Sequence, residues 1–255
     1  MSLYFIHFDL SNIIFALIVG FTAGFIKGIV GFAMPMILLS GITVIVPADA
    51  ALAAVILPTL FSNIQQANAQ GIASALSSIK RFKVFLTTGA LFLLLGAFLT
   101  PLIPSKLFLG VIGCLIVSFS IFQMFGPKFQ IDRSNKLATV CFAAVSGFVG
   151  GISGVWGPPT VAYLTALNTA KTEQIRVQGV IYGLGAVLLL FGHLVSGIFS
   201  WKTAPLSALL VAPAILGVWL GTRLRDRFDQ KTFRTATLLV LLIAGINLIR
   251  RAWFG

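Results

Sequence analysis

The chain has 255 residues, of which 58% are hydrophobic and only 9% charged, and its net charge is +12. Soluble domains carry about 25% charged residues, so no soluble fold of this length hides so much apolar surface and the bilayer is its solvent. Continuous apolar runs exclude a β-barrel, whose strands alternate in polarity. Basic residues gathered in short loops exclude a nucleic-acid partner and read as topology signals instead.

In chain order, the first apolar run lacks a preceding Lys or Arg, which predicts a retained helix over 11–30 rather than a cleaved signal peptide. Apolar runs and breakers then predict helices at 34–46, 48–73, 83–103, 106–126, 136–155, 159–169, 172–199, 203–222 and 232–250. The fold class is therefore an all-α polytopic membrane protein of about 8–10 segments. The segments 34–46 and 159–169 are short, and either cross where the protein is thin or dip in and return. Cys114 and Cys141 sit in apolar runs and read as packing residues; no Cys/His cluster suggests a metal, and no cofactor is expected.

An internal repeat organises these segments. Gly20, Phe21 and Gly24 match Gly147, Phe148 and Gly151; after a one-residue gap, Gly28 and Gly31 match Gly154 and Gly157. A proline follows in each case, Pro35 in one and Pro158 and Pro159 in the other, and the same offset pairs Asp49 with Glu173. The chain thus reads as two repeats, 1–126 and 127–255, forming one integrated membrane domain.

Basic residues predict how these repeats are oriented. With ten crossings and the N-terminus outside, the cytoplasmic loops hold thirteen cations (Lys80, Arg81, Lys83, Lys128, Arg133, Lys136, Lys171, Arg176, Arg223, Arg225, Arg227, Lys231 and Arg234) against four outside (Lys106, Lys202, Arg250 and Arg251). Merging each short segment with its predecessor lowers the split to about nine against eight. The charges therefore favour ten crossings, or at least five polarity reversals per half, which makes the repeats inverted. Trp156, Trp201 and Trp253 then all fall near the outer interface, as an aromatic belt.

Polar residues inside this background mark a candidate site. The stretches Gly28–Pro35 and Gly154–Pro159 interrupt helices at matching places, and helices restarting after a break point free N–H groups and a positive dipole end into the protein. Such ends bind anions, so two breaks from inverted halves are expected to form one anion site near the midplane, unless they serve only packing and kinking. Asn63 and Gln66 share a face of the third segment; they line the site or bond neighbouring helices. Gln178 and Tyr182 fall on one stripe of the 172–199 segment. Lys27 either supplies positive charge or snorkels to the interface. Arg176 either draws anions to the inner mouth or is a topology residue. Asp49 and Glu173 read as helix-dipole partners or proton sites. His193 reads as a packing residue or a proton-coupling group.

With these motifs in view, Gly20-to-Pro35 and Gly147-to-Pro159, the chain resembles the TauE/SafE family of sulfite-exporter and toluenesulfonate-uptake transporters over nearly its whole length. It departs from the family's usual triple-glycine form, having Gly28-Ile-Val-Gly31 and Gly154-Val-Trp-Gly157, so Trp156 reshapes the pocket. The resemblance implies about eight spans and a bacterial inner-membrane, multi-pass permease for small anions such as sulfite, organosulfonates or related organic acids. The expected site comprises Gly28, Gly31, Pro35, Asn63, Gln66, Gly154, Trp156, Gly157, Pro159, Gln178 and Tyr182. The expected partners are a small anionic solute and the lipid bilayer, with a homodimer left open. No enzyme motif is present. The competing reading is a non-transporting membrane scaffold or assembly subunit.

Overall fold

The computed structural model describes residues 9–126, 130–132, 134–227 and 229–254, and these are all-helical apart from turns and connections. Eleven α-helices follow in order among the described residues: α1 (Leu10–Val30), α2 (Met34–Ile42), α3 (Ala48–Asn68), α4 (Ile72–Arg81), α5 (Lys83–Leu99), α6 (Ser105–Phe125), α7 (Lys136–Ser153), α8 (Gly157–Ala166), α9 (Lys171–Val195), α10 (Ala204–Leu224) and α11 (Gln230–Phe254). Eight of them are long and apolar enough to cross a bilayer. The exceptions are α2, α4 and α8. At ~1.5 Å per residue, α2 and α8 reach about 14–15 Å, half the ~30 Å hydrocarbon layer.

Among the predicted boundaries that move, three follow from glycine and proline chemistry. The expected helix over 48–73 ends at Asn68, because the chain turns at Gly71, whose φ of +85° suits glycine alone. It restarts as α4, an amphipathic helix that the sequence reading did not separate. The expected helix from 159 begins two residues earlier, at Gly157, because prolines fit the first turn of a helix, where N–H groups are unbonded anyway. The expected 172–199 helix stops at Val195, ahead of Gly197 at φ +79°.

The described chain forms two compact units, each drawing on both halves of the sequence. One comprises residues 1–58, 101–126 and 197–255; the other comprises 59–100 and 127–196. In the first, α1 packs on α10 and α6 on α11. Gly20 faces Leu210 and Pro213, and Gly28 faces Val218 and Gly221, so α1 and α10 run the same way. Gly110 faces Ala252 while Gly113 faces Gly245 and Ile249, so α6 and α11 run oppositely. A Cβ on Gly24 would strike the Ala214 backbone; glycine is needed there for approach rather than for flexibility.

The first stretch of the first unit ends inside helix α3, at Pro58. Proline has no N–H to donate to the Ala54 carbonyl. Ser207 of α10 replaces it: its Oγ donates to the Ala54 carbonyl at 3.2 Å and accepts from the Leu57 amide at 3.0 Å. In the second unit, α5 packs on α7, with Gly89 facing Ala143 and Gly96 facing Phe148 and Ile152, again in the same direction. Helix α8 folds back along α7, and α9 packs on α5 and α4.

Cys114 and Cys141 are exposed, not packed. On an apolar spanning helix an exposed small thiol faces lipid, where packing partners are not required.

Candidate substrate-binding site

In the first unit the break follows from backbone geometry. Gly31 adopts φ +87° and caps α1, its amide donating to the Lys27 carbonyl at 2.7 Å. Ala33, at φ +80°, precedes α2, and Pro35 occupies the second helical position, so Met34 and Met36 retain N–H groups on either side of it. The Gly28 carbonyl is not orphaned. It accepts from Arg225 Nε at 3.1 Å and Nη2 at 2.5 Å, and from Thr222 Oγ1 at 3.4 Å. Lys27 is 2% exposed, which argues against snorkelling. Asp49 is exposed in the first turn of α3, where it meets the helix dipole and no buried partner.

In the second unit the break is denser in polar contacts. Gly154 caps α7 at φ +71°, with its amide donating to the Gly150 carbonyl at 2.7 Å. Pro158 and Pro159 fill the next two positions of α8, so of its first three residues only Gly157 offers an N–H. The Trp156 carbonyl accepts from Ser146 Oγ at 3.1 Å and Thr160 Oγ1 at 2.9 Å, and these two hydroxyls lie 2.7 Å apart. Tyr182 donates to the Gly157 carbonyl at 3.4 Å.

Trp156 corrects one expectation. It is 3% exposed, meets the Tyr182 ring at a tilt with centroids 6.1 Å apart and lies on Gly150, so it belongs to the interior and not to an aromatic belt. Only a glycine at 150 leaves room for its ring. Trp201 and Trp253 are exposed, at 91% and 75%.

Around this break the second unit gathers α3 and α9. Gly179 sits on the backbone of Gln66 and Ala67, and Gly183 faces Asn63. Asn63 is buried. Gln66 Nε2 donates to the Ile175 carbonyl at 2.9 Å, which makes it a helix-to-helix tie. Gln178 is 2% exposed, and its Oε1 has no hydrogen-bond partner among the described residues; the buried Thr59 hydroxyl on α3 has none either. Buried polar atoms are rarely left so in native proteins, so each marks a place where a water or a solute completes the bonding. An amide also turns over to present its N–H₂ in place of its oxygen.

The remaining candidates are structural in their contacts. Glu173 pairs with Arg81 and lies 4.0 Å from Arg176. Arg176 also donates to Ser78 Oγ at 3.0 Å and to Gln70 Oε1 at 2.7 Å, while Gln70 Nε2 reaches the Thr172 carbonyl at 2.9 Å. This network ties α4 and the end of α3 to the start of α9. His193 is fully buried, with Nδ1 3.4 Å from Ser196 Oγ.

The second unit thus brings together Asn63, Gln66, Gly154, Trp156, Gly157, Pro159, Gln178 and Tyr182; the first holds Lys27, Gly28, Gly31, Pro35 and Asp49. Ser146, Thr160, Thr59 and Arg225 were missed. Short hydroxyls beside a predicted break were the available signal for the first two, whereas Arg225 reads from sequence as one more basic loop residue.

The family model described as Sulfite exporter TauE/SafE matches residues 16–248. No curated protein and no solved structure matches the chain.

Proposed function

The chain belongs to the sulfite exporter TauE/SafE family of multi-pass membrane transporters, and we propose on that footing that it is a secondary permease of small anions, working by alternating access. Sulfite, organosulfonates and related organic acids are the substrate class, and the bacterial inner membrane is its place.

The observation that carries this reading is the buried polar group at the second break. The Gly157 amide is a neutral donor at the head of α8, and turning over the buried Gln178 amide, whose Oε1 has no partner among the described residues, aims its N–H₂ there in place of the oxygen. An anion held by neutral donors in a dry site binds without needing a fixed counter-charge and is released as readily.

Helix direction supports the inverted plan. Four elements, α7 to α10, lie between α6 and α11. If each of them reverses the chain, α6 and α11 run oppositely, as observed; if α8 did not, they would run in parallel. Counting α2 likewise gives the parallel α1 and α10. Each repeat then has five reversals, and the two repeats are inserted in opposite senses.

The test is flux of labelled sulfite and of small organosulfonates into proteoliposomes, with and without a pH gradient. The wild-type protein carries at least one of these anions. Gln178→Leu lowers flux about tenfold or more, the cost of one hydrogen bond to a charged solute. Wild-type liposomes that carry no anion under any gradient would leave the scaffold reading standing.

A further inference from the structure

We propose that the second unit holds one anionic phospholipid, with an acyl chain in a cleft along α5 and the headgroup phosphate at Lys83. A cavity of about 350 Å³ runs beside α5, α7 and α9. Its α5 wall continues the stripe Ile79, Lys83, Leu86, Ala90 and Leu93, and Trp156 lines it as well. Leu184 and Val187 on its rim are 41% and 51% exposed. A mouth on a spanning helix with such a rim opens to lipid and not to water.

The interior asks for nothing polar. Thr87 turns its hydroxyl back to the Lys83 and Val84 carbonyls at 3.0 and 3.2 Å, and Ser146 is spent on the Trp156 carbonyl. Lys83 is the one ionisable residue among the described residues of the lining. It is exposed and makes no ion pair among the described residues.

Helix α4 places this cation at headgroup depth. Its stripe Ile72, Leu76 and Ile79 leads straight into the cleft, and Ile72 and Leu76 are 69% and 53% exposed, which is the pattern of a helix lying in the interface. Lys80 is exposed beside it, while Arg81 is engaged by Glu173. An apolar slot with a free cation at its mouth and a basic helix over it fits an anionic amphiphile with its phosphate at the inner leaflet.

Trp156 reports on the slot. The chain has four tryptophans, and Trp219, like Trp201 and Trp253, is exposed. In the full chain with these three changed to Phe, Trp156 is the remaining fluorophore. In mixed micelles, phosphatidylglycerol with brominated chains quenches Trp156 at about one-fifth the mole fraction that brominated phosphatidylcholine requires, the effect of one cation on one anionic headgroup. Lys83→Ala erases the difference, and glycerol phosphate without chains does not compete. Ala90→Phe, with its melting temperature checked, blocks quenching by both lipids. A Trp156 that no brominated chain quenches overturns the proposal. So does equal quenching by the two lipids, or a preference that survives Lys83→Ala. Displacement by a brominated fatty acid at equal potency would make the occupant a free anionic amphiphile and overturn the phospholipid assignment.

Discussion

At the scale of single residues, the glycines of the two repeats divide into those that bend the chain and those that let helices touch. Gly31 and Gly154 have positive φ and end their helices, whereas Gly24 and Gly151 carry backbone of a neighbouring helix where a Cβ would be. Gly151→Ala therefore forces α7 away from the Leu93 carbonyl, at a cost of about 1–3 kcal/mol. Thermal unfolding in detergent should show this, with Gly71→Ala, which has open space around it but positive φ, as a contrast in a loop. Arg225 offers a second case. Two of its nitrogens bond the Gly28 carbonyl, so Arg225→Ala leaves that acceptor only the long Thr222 hydroxyl contact and lowers stability by about 1–2 kcal/mol, with partial recovery in Arg225→Lys. The glycine matches were legible because composition shows them; the two roles were not, since spacing carries no φ and no neighbour. Trp156 was misread for the same reason: a tryptophan beside prolines at a predicted helix end looks interfacial until the glycine that accommodates it, Gly150, is placed beneath its ring.

At the scale of elements, apolar run length located every helix long enough to span but concealed the amphipathic α4. Residues 48–73 read as one segment because Ala69 to Ala73 is apolar enough to continue it, and only Gly71 marks the turn into α4. Helix α4 is anchored by polar contacts as well as by burial of Ala75 and Ser78. Arg81 to Glu173, Arg176 to Ser78 and Arg176 to Gln70 hold it against α9. The Arg81 and Glu173 side chains are 44% and 20% exposed, so the pair contributes only about 0.2–1 kcal/mol after solvent screening. Glu173→Gln should accordingly leave global melting almost unchanged while raising hydrogen exchange across 72–81, because a weakly held element opens locally before the protein unfolds. Exchange in that stretch equal to wild type would show that apolar contacts alone fix α4. The same variant tests the proton-site reading of Glu173. If its role is the α4 tie, the pH dependence of anion flux stays as in the wild type.

At the scale of the whole chain, positive charges and helix directions bear independently on the proposed topology. The charge split uses loop composition and ignores packing; the α6–α11 pair uses packing and ignores charge. Hydropathy alone counts eight spanning helices, because α2 and α8 are too short to register, yet each lies between two long helices, and a reversal there alters the direction of all that follows. Chain direction therefore distinguishes two plans with the same number of spanning helices. Since Gly110 faces Ala252, the start of α6 and the end of α11 lie together at one face of their unit, and the start of α11 lies at the opposite face. In a background lacking Cys114 and Cys141, single cysteines at Lys106 and Phe254 should both react with a membrane-impermeant maleimide on intact cells, whereas one at Asp229 should react only after permeabilisation. The sign comes from the basic residues, since the connection from Arg223 to Arg234 is rich in them and belongs inside. Reaction at Asp229 on intact cells, with Lys106 and Phe254 protected, would reverse the orientation but keep the inverted plan. Reaction at Lys106 and Asp229 together would place the start of α6 and the start of α11 on one side. That outcome contradicts their packing and ends the case for five reversals in each repeat.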